Sequence, residues 1–164
     1  MKIVETGIEK LIVIEPKIYE DNRGYFSETF KKSVLESKLG YNFSVVQENE
    51  SKSNYGVLRG LHFQTGSMAQ SKLVRVIKGE VLDVALDIRK GSHTFGKYFK
   101  IILSAKNRRQ LFIPKGFAHG FLTLEDDTIF SYKVDKEYSP ENESGVHPLD
   151  KDLSINWDIQ EIDL

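Results

Sequence analysis

The segment Glu80–Arg89, EVLDVALDIR, is the clearest strand pattern in the chain. Large aliphatic side chains occupy positions 82, 84, 86 and 88, and smaller or acidic side chains occupy positions 81, 83, 85 and 87. This alternation has a period of two residues, which is the period of a β-strand. We expect the aliphatic face to pack against another sheet. The other face carries two carboxylates, Asp83 and Asp87, among small side chains, which suits either solvent or a polar cavity.

Short strand patterns separated by turn residues continue on both sides of this segment. Candidate strands cover 43–48, 56–63, 72–78, 80–89, 96–104, 109–113, 117–124 and 128–134. An apolar strand at 8–14 and an exposed edge strand at 25–30 precede them. The only convincing helix is 31–39, with Gly40 where a C-terminal cap belongs. This pattern predicts one all-β domain, a sandwich or barrel, with one short helix near the N-terminus.

The composition excludes several classes of function. A chain of 164 residues can bury a sizeable core without the support of disulfides or a structural metal. The absence of cysteine excludes disulfides, zinc–thiolate sites and cysteine nucleophiles. Lys plus Arg (23) nearly balances Asp plus Glu (24), which argues against general binding to nucleic acid or a membrane surface. The N-terminal sequence lacks secretory features and no apolar run could span a bilayer, so we expect a cytoplasmic protein.

Two polar motifs interrupt the apolar strands. In YGVLRGLHFQ (55–64), Arg59 and His62 are three residues apart, and strict alternation would place them on opposite faces. A bulge near Gly60 would turn both toward one cavity, whereas the alternative is a core strand with a structural histidine and a surface arginine. In IPKGFAHGF (113–121), a Pro-x-Gly turn before His119 resembles the second sequence motif of the cupin superfamily.

The histidines do not add up to a metal site. Many cupins bind a metal through three histidines and a glutamate, and the first motif then needs a His-x-His pair. Residues 60–64 offer only His62, while His93 and His147 fall in turn-like segments. Two histidines without a third ligand make a poor transition-metal site, so we expect no metal.

Five longer segments closely resemble dTDP-4-dehydrorhamnose 3,5-epimerases. They are DNRGYFSETF (21–30), QENESKSNYGVLRGLHFQ (47–64), KLVRVIKGEVLDVALDIRKGSHTFG (72–96), NRRQLFIPKGFAHGFLTL (107–124) and YKVDKEYSPENESG (132–145). The resemblance runs in order along almost the whole chain. It implies a cupin-type double-stranded β-helix (jelly roll), a homodimer without metal or cofactor, and inversion at C3 and C5 of a dTDP-linked 4-keto-6-deoxyhexose on the route to dTDP-L-rhamnose.

The resemblance also implies catalytic roles. His62 matches the family's base, Tyr132 its phenolic acid, and Lys72 the group that stabilises the enolate at O4, with Arg59 and His119 as neighbouring donors. Imidazole suits removal of a proton α to a ketone, and a fixed cation suits the developing oxyanion. Taken singly, Tyr132 would be a core-edge tyrosine, Lys72 a solvated lysine and His119 a brace of the barrel.

Charged side chains are implied at the nucleotide. Arg59 and Arg23 match the diphosphate-binding positions, where a guanidinium can bind bidentately, and Glu28 and Glu143 match positions that contact the nucleotide. In this family the N-terminal strands cross to the partner subunit. We therefore expect Arg23, Phe26 and Glu28 to serve the site of a second copy of the chain.

Amide and aromatic side chains complete the expected nucleotide site. Gln47 and Asn49 carry amides able to read polar edges of the thymine or the sugar. Phe26 and Tyr138 are expected to stack on the base, the alternative being ordinary surface aromatics.

Two departures from the family pattern concern the site. The family has an aspartate beyond the tryptophan segment that pairs with the base histidine, and this sequence aligns through Trp157 but reaches Leu164 before that position. We interpret Asp83 as a substitute carboxylate, the alternative being a salt bridge from Asp83 to Lys72. The segment 144–148, SGVHP, replaces a Gly-Ile-x-Trp type sequence, and we expect this to change only a loop, the alternative being a change at the lip of the site.

Three other functions stay open beside 3,5-epimerisation. The first is mono-epimerisation in another dTDP-4-keto-deoxysugar pathway, and the second is binding of a sugar nucleotide with impaired turnover. The least favoured is a metal-dependent cupin such as a dioxygenase.

Overall fold

The computed structural model describes residues 1–158 and 163, which form thirteen strands and one α-helix. The strands are β1 (Lys2–Glu5), β2 (Ile12–Glu15), β3 (Ile18–Asp21), β4 (Gly24–Ser27), β5 (Gln47–Ser53), β6 (Leu58–Gln64), β7 (Lys72–Lys78), β8 (Glu80–Asp87), β9 (Tyr98–Ser104), β10 (Gln110–Ile113), β11 (Phe117–Thr123), β12 (Thr128–Val134) and β13 (Glu143–Gly145). The helix α1 (Lys32–Leu39) ends at Gly40, whose φ of 75° gives the left-handed cap that the sequence predicts.

Two antiparallel sheets account for eleven of the strands. The first sheet has the order β1-β2-β10-β7-β12-β5, and the second sheet has the order β13-β6-β11-β8-β9. From β5 to β8 the chain crosses between the sheets at every step, and it does so again from β9 to β12. This winding is that of a jelly roll, so the predicted cupin-type double-stranded β-helix with one short helix is confirmed.

The space between the sheets holds the main core. Its buried residues are Leu11, Val13, Val74, Val76, Val81, Ala85, Leu103, Leu111, Ile113, Phe117, Phe121 and Phe130. The aliphatic side chains of β8, such as Leu82 and Val84, belong instead to a cluster with Trp157 on the outer face of the second sheet. The prediction that this aliphatic face meets the other sheet is therefore wrong. Both faces of β8 are buried, so alternation of residue types does not distinguish them.

Helix α1 packs on the outer face of the first sheet. Leu35 and Leu39 are buried in a cluster with Ile12, Ile14 and Phe112. The N-cap residue makes no side-chain capping hydrogen bond, so burial of this face rather than capping stabilises the short helix. Among residues 1–158 and 163, no helix has the length and apolar character needed to cross a membrane.

Strands β3 and β4 form a separate hairpin that joins neither sheet. The hairpin exposes 62% of the surface of Tyr25 and 67% of that of Phe26. Strand β5 lies at the edge of the first sheet and, among the described strands, pairs only with β12. The hairpin and the β5 edge thus offer aromatic surface and unpaired backbone groups to another chain.

Candidate active site

A pocket of about 840 Å³ opens between the two sheets, a size typical of small-molecule sites. Most of the predicted site residues line it: Gln47, Asn49, Arg59, His62, Lys72, His119, Tyr132, Tyr138 and Glu143. Part of its apolar wall is the stacked pair Phe121 and Phe130, whose ring centroids are 4.1 Å apart. The fold therefore collects chemically active side chains from distant parts of the sequence in one cavity.

A bulge in β6 turns Arg59 and His62 into the same pocket, which decides between the two alternatives that the motif leaves open. His62 pairs with His119 on β11 and Arg59 pairs with Phe121, so three steps along β6 correspond to two along β11. Gly60 lies in the bulge with a φ of 109°, and a Cβ there would lie 2.5 Å from the carbonyl oxygen of His119. Only glycine fits this contact, which explains the glycine in the motif.

His62 is half-exposed and faces the carboxylate of Glu143. The distance from His62 Nδ1 to Glu143 Oε1 is 3.7 Å, and the hydroxyl of Tyr138 donates to Glu143 Oε2 at 2.5 Å. Burial lowers the pKa of His62 below its ordinary value, the charges of Lys72 and His119 act in the same direction, and Glu143 opposes them. The imidazole is accordingly neutral near pH 7 and able to accept a proton.

Asp83 pairs with His119 and not with His62. It is fully buried, and its Oδ2 lies 2.9 Å from His119 Nε2. The interpretation of Asp83 as the carboxylate behind His62 is therefore wrong, and the described residues show no ion pair between Asp83 and Lys72. The strand order gives the reason: β8 neighbours β11, which carries His119, whereas β6 with His62 lies one strand further away.

Lys72 begins β7 and is a partly buried cation of the pocket. Burial lowers its pKa to about 8, while the carboxylates of Asp83 and Glu143 act in the opposite direction. Its Nζ lies 6.0 Å from the centroid of the Tyr132 ring. With a pKa of about 8 the amine is mostly protonated at neutral pH and supplies a positive charge inside the cavity.

Tyr132 reaches the pocket from the sheet opposite to His62. It lies on β12 of the first sheet, whereas His62 lies on β6 of the second. Burial raises the pKa of Tyr132 above its ordinary value, and the negative charge of Glu143 also raises it, while Asn49 and Arg59 oppose this. The phenol therefore keeps its proton at neutral pH and can donate it. A neutral base and a protonated acid thus enter one cavity from two sides.

The amide of Gln47 has protein partners at both ends. Its Nε2 donates to Asn49 Oδ1 at 2.7 Å, and its Oε1 accepts from the backbone N–H of Tyr138 at 2.9 Å. Arg59 donates from Nε to the hydroxyl of Ser53 at 2.9 Å. These bonds fix the orientation of the groups at the pocket rim.

The hairpin residues do not reach the pocket of their own chain. Arg23 forms an ion pair with Asp21 at 2.7 Å, and Glu28 lies 3.7 Å from Lys31. Phe26 is largely exposed. In the described chain these three predicted site residues therefore stand apart from the others.

The segment at 144–148 does more than form a loop. Ser144 and Gly145 belong to β13, which pairs with β6, and His147 and Pro148 line the pocket. The expectation that this departure affects only a loop is therefore wrong, because β13 places the segment beside His62.

Sequence reasoning also missed Gln64 and Gln70, which line the pocket and bind backbone groups near Tyr138. No local pattern marks them, since their partners beside Tyr138 lie more than 60 residues away in sequence. Across the described part of the chain, no group of three or more His, Asp or Glu side chains is arranged to hold a metal ion.

Comparison with known proteins identifies the family. The family model for dTDP-4-dehydrorhamnose 3,5-epimerase matches residues 5–164. The enzyme of that name from Escherichia coli (strain K12) is 50% identical over 157 residues, which cover 96% of this chain and 85% of the relative. The crystal structure of dTDP-4-dehydrorhamnose 3,5-epimerase from Elizabethkingia anophelis matches with a TM-score of 0.95 and 50% identity, covering 98% of this chain and 88% of that one. The dTDP-6-deoxy-D-glucose-3,5-epimerase of Legionella pneumophila, in complex with dTDP-4-keto-L-rhamnose, matches with a TM-score of 0.94 and 50% identity, covering 98% and 85%. This chain therefore belongs to the dTDP-4-dehydrorhamnose 3,5-epimerase family.

Proposed function

We propose that this protein is a dTDP-4-dehydrorhamnose 3,5-epimerase, which inverts C3 and C5 of dTDP-4-keto-6-deoxyglucose with its own side chains as base and acid. The observation that carries the proposal is the placement of His62 and Tyr132 on opposite sheets of one pocket, with the Lys72 ammonium near the phenol. Inversion at a carbon requires that a proton leave one face and return to the other. Two groups that approach from two sides meet that requirement.

The proposed reaction begins at His62. The neutral imidazole takes the proton from a carbon α to the C4 ketone, and the electron pair of the broken C–H bond forms the enolate with its charge on O4. Lys72 and His119 stabilise that oxyanion, because fixed charges and donors at a developing charge lower the barrier. Tyr132 then donates its proton to the opposite face of the carbon. Exchange with solvent resets base and acid, and the same steps act at the second carbon, since C3 and C5 both adjoin the ketone.

The nucleotide end is proposed to lie at the rim formed by Gln47, Arg59, Tyr138 and Glu143. The half-exposed ring of Tyr138 offers a stacking surface for the thymine, and Arg59 offers a guanidinium to the diphosphate. Asn49 is proposed to make a polar contact with the thymine or the sugar. Gln47 contributes through Tyr138, because its amide is already engaged with the protein.

We further propose that two copies form a homodimer in which each hairpin serves the partner's site. The separate hairpin, its exposed aromatic rings and the open edge of β5 support this arrangement. In the dimer Arg23, Phe26 and Glu28 of one copy would join the pocket of the other.

Subunit mixing tests the shared site. Arg23→Ala and His62→Ala variants should each be inactive, and a refolded mixture should recover about one quarter of wild-type activity, since half of the dimers would then hold one complete site. No recovery from a mixture that forms dimers would place Arg23 outside the partner's site.

The experiment that tests the function is incubation with dTDP-4-keto-6-deoxyglucose in deuterated water, followed by proton NMR. Deuterium incorporation at both C3 and C5 with formation of dTDP-4-keto-L-rhamnose is the expected result. Incorporation at one carbon would identify a mono-epimerase instead. Binding of dTDP without incorporation at either carbon would identify a sugar-nucleotide binding protein.

A further inference from the structure

Three glutamine side chains hold the irregular backbone that carries Tyr138. Gln64 donates from Nε2 to the carbonyl of Glu137 at 3.1 Å, and its Oε1 accepts from the N–H of Ser139 at 2.8 Å. The same Nε2 also donates to the carbonyl of Met68 at 2.8 Å. Gln64 therefore binds the backbone on both sides of Tyr138, and only 7% of its surface is exposed.

The two other glutamines complete what we name the glutamine clamp, formed by Gln47, Gln64 and Gln70. Gln70 donates from Nε2 to the carbonyl of Lys136 at 2.8 Å and to that of Glu137 at 3.3 Å. Gln47 accepts from the N–H of Tyr138 itself. The three amides come from β5, β6 and the residues before β7, so they tie the segment to both sheets.

The clamp replaces the strand pairing that this segment lacks. Residues 135–139 follow the end of β12 and belong to no strand. An amide suits the position, because it donates to a carbonyl and accepts from an N–H with one rigid group. Tyr138 is 53% exposed, and its hydroxyl donates to Glu143. The position of the ring is therefore set through its backbone by the clamp and through its hydroxyl by Glu143.

We propose that Gln64 is a positioning residue for nucleotide binding, which holds Tyr138 at the mouth of the pocket and takes no part in proton transfer. The inference rests on the proposed function in one respect, namely that Tyr138 stacks on the base. The clamp itself is a property of this chain with or without a ligand. Gln64 thereby acts on affinity for the nucleoside diphosphate and leaves the chemistry at His62 and Tyr132 unchanged.

The first test is Gln64→Glu, which keeps the shape of the side chain and the acceptor for the Ser139 N–H. The substitution replaces the donor Nε2 with a carboxylate oxygen, which repels the carbonyl oxygens of Met68 and Glu137. Asn107→Asp is the matched control. In the wild type, Asn107 donates from Nδ2 to the carbonyl of Ile102, and its Oδ1 accepts from the N–H groups of Ser104 and Arg109. This turn lines no part of the pocket. Titration calorimetry with dTDP should show an affinity about tenfold weaker for Gln64→Glu, because a base loses an ordered stacking partner, and no change for the control.

The kinetic readout separates positioning from general damage. Gln64→Glu should raise KM and keep kcat within about twofold of wild type, because binding is weakened and the transition-state contacts are kept. A fall in kcat equal to the rise in KM would overturn the proposal. If Gln64→Glu does not fold, Gln70→Ala, which removes two bonds of the clamp, should show a smaller change in the same direction.

A double variant tests whether Gln64 acts through Tyr138. On a Tyr138→Leu background, Gln64→Glu should weaken dTDP binding no further, because the stacking partner is already gone. If the affinity losses of the two single variants multiply in the double variant, Gln64 acts independently of Tyr138, and the proposal is overturned. Amide hydrogen exchange over residues 136–139 should be faster in ligand-free Gln64→Glu than in wild type and unchanged in Asn107→Asp. Unchanged exchange in Gln64→Glu would refute the clamp. If wild type binds no dTDP, the proposed function fails, and the exchange measurement still decides whether the clamp exists.

Discussion

The buried carboxylate of Asp83 should control the alkaline limit of activity through Lys72. Several groups face this lysine: Asp83 from β8, Glu143 from β13, Tyr132 from β12, and His62 and His119 from β6 and β11. Burial lowers the pKa of Lys72 to about 8 even with the two carboxylates nearby. The change Asp83→Asn removes one of these negative charges at nearly constant shape. The ammonium then loses a stabilising partner, so the pKa of Lys72 falls further.

The size of the effect depends on pH in a calculable way. If the proposed reaction requires the ammonium form, activity follows the protonated fraction of Lys72. A decrease of about one pKa unit, within the range that one nearby charge produces, lowers that fraction about twofold at pH 7 and about fivefold at pH 8. At pH 6 the fraction hardly changes. A purely geometric displacement of His119 lowers activity by the same factor at each pH, so a ratio of wild-type to variant activity that rises with pH identifies the effect on Lys72.

The assay is kcat/KM for epimerisation between pH 6 and 9, with Asp87→Asn as the matched control. Asp87 is also a fully buried carboxylate of β8, but its partners are Arg89, Ser92 and Thr94. The control should lower the Tm and leave the alkaline limit unchanged. A constant ratio of wild-type to Asp83→Asn activity across this range would refute the reasoning, since Asp83 would then act only on the placement of His119.

Three substitutions test the remaining steps. His62→Asn should abolish deuterium exchange at C3 and C5 with an unchanged Tm, because the amide cannot accept the proton; retained exchange would remove His62 as the base. Tyr132→Phe should slow epimerisation more than exchange, because the ring can no longer return a proton, and equal losses would assign Tyr132 to positioning. Gly60→Ala should lower the Tm by roughly 10 °C, because it adds a contact with the His119 backbone to a strained φ. Gly91 also has a positive φ, of 88°, but a Cβ there would lie in open space, so Gly91→Ala should lower the Tm far less. An equal decrease in Tm would show that backbone strain alone, and not the contact with His119, destabilises Gly60→Ala.

The sequence predicts the strands that carry an apolar pattern and misses those that do not. Strands β7 and β12 have the predicted bounds, because their alternating or continuous apolar residues are buried in the core. Strand β5 covers Gln47–Ser53 instead of the predicted 43–48. Its sequence QENESKS contains no apolar residue, since this edge strand presents polar side chains to the pocket and to solvent alternately. Pairing with β12, which is non-local, decides its position.

The site shows the same division between local and non-local information. The glycine in the motif marks a possible bulge, whereas the shared cavity of Arg59 and His62 depends on the pairing of β6 with β11, which is non-local. The partner of Asp83 depends on which strand lies next to β8, and the order of strands in a sheet cannot be read from one strand's residues. The resemblance to a family supplies residue types at the pocket. It does not supply the hydrogen bonds that orient them.

The catalytic end of the pocket is built on paired strands, whereas the nucleotide end depends on backbone outside the sheets, so substitutions can move the second more easily than the first. His62, Lys72 and Tyr132 lie on paired strands, so a shift of any of them would break ladder bonds along a whole strand. Tyr138 lies outside the sheets, and side-chain amides hold its backbone. A substitution in the clamp can therefore move the base-stacking surface at the cost of a few hydrogen bonds and leave the catalytic strands in place. Changes of nucleotide affinity or preference should accordingly arise at Gln47, Gln64 and Gln70 more readily than changes in the stereochemistry of proton transfer.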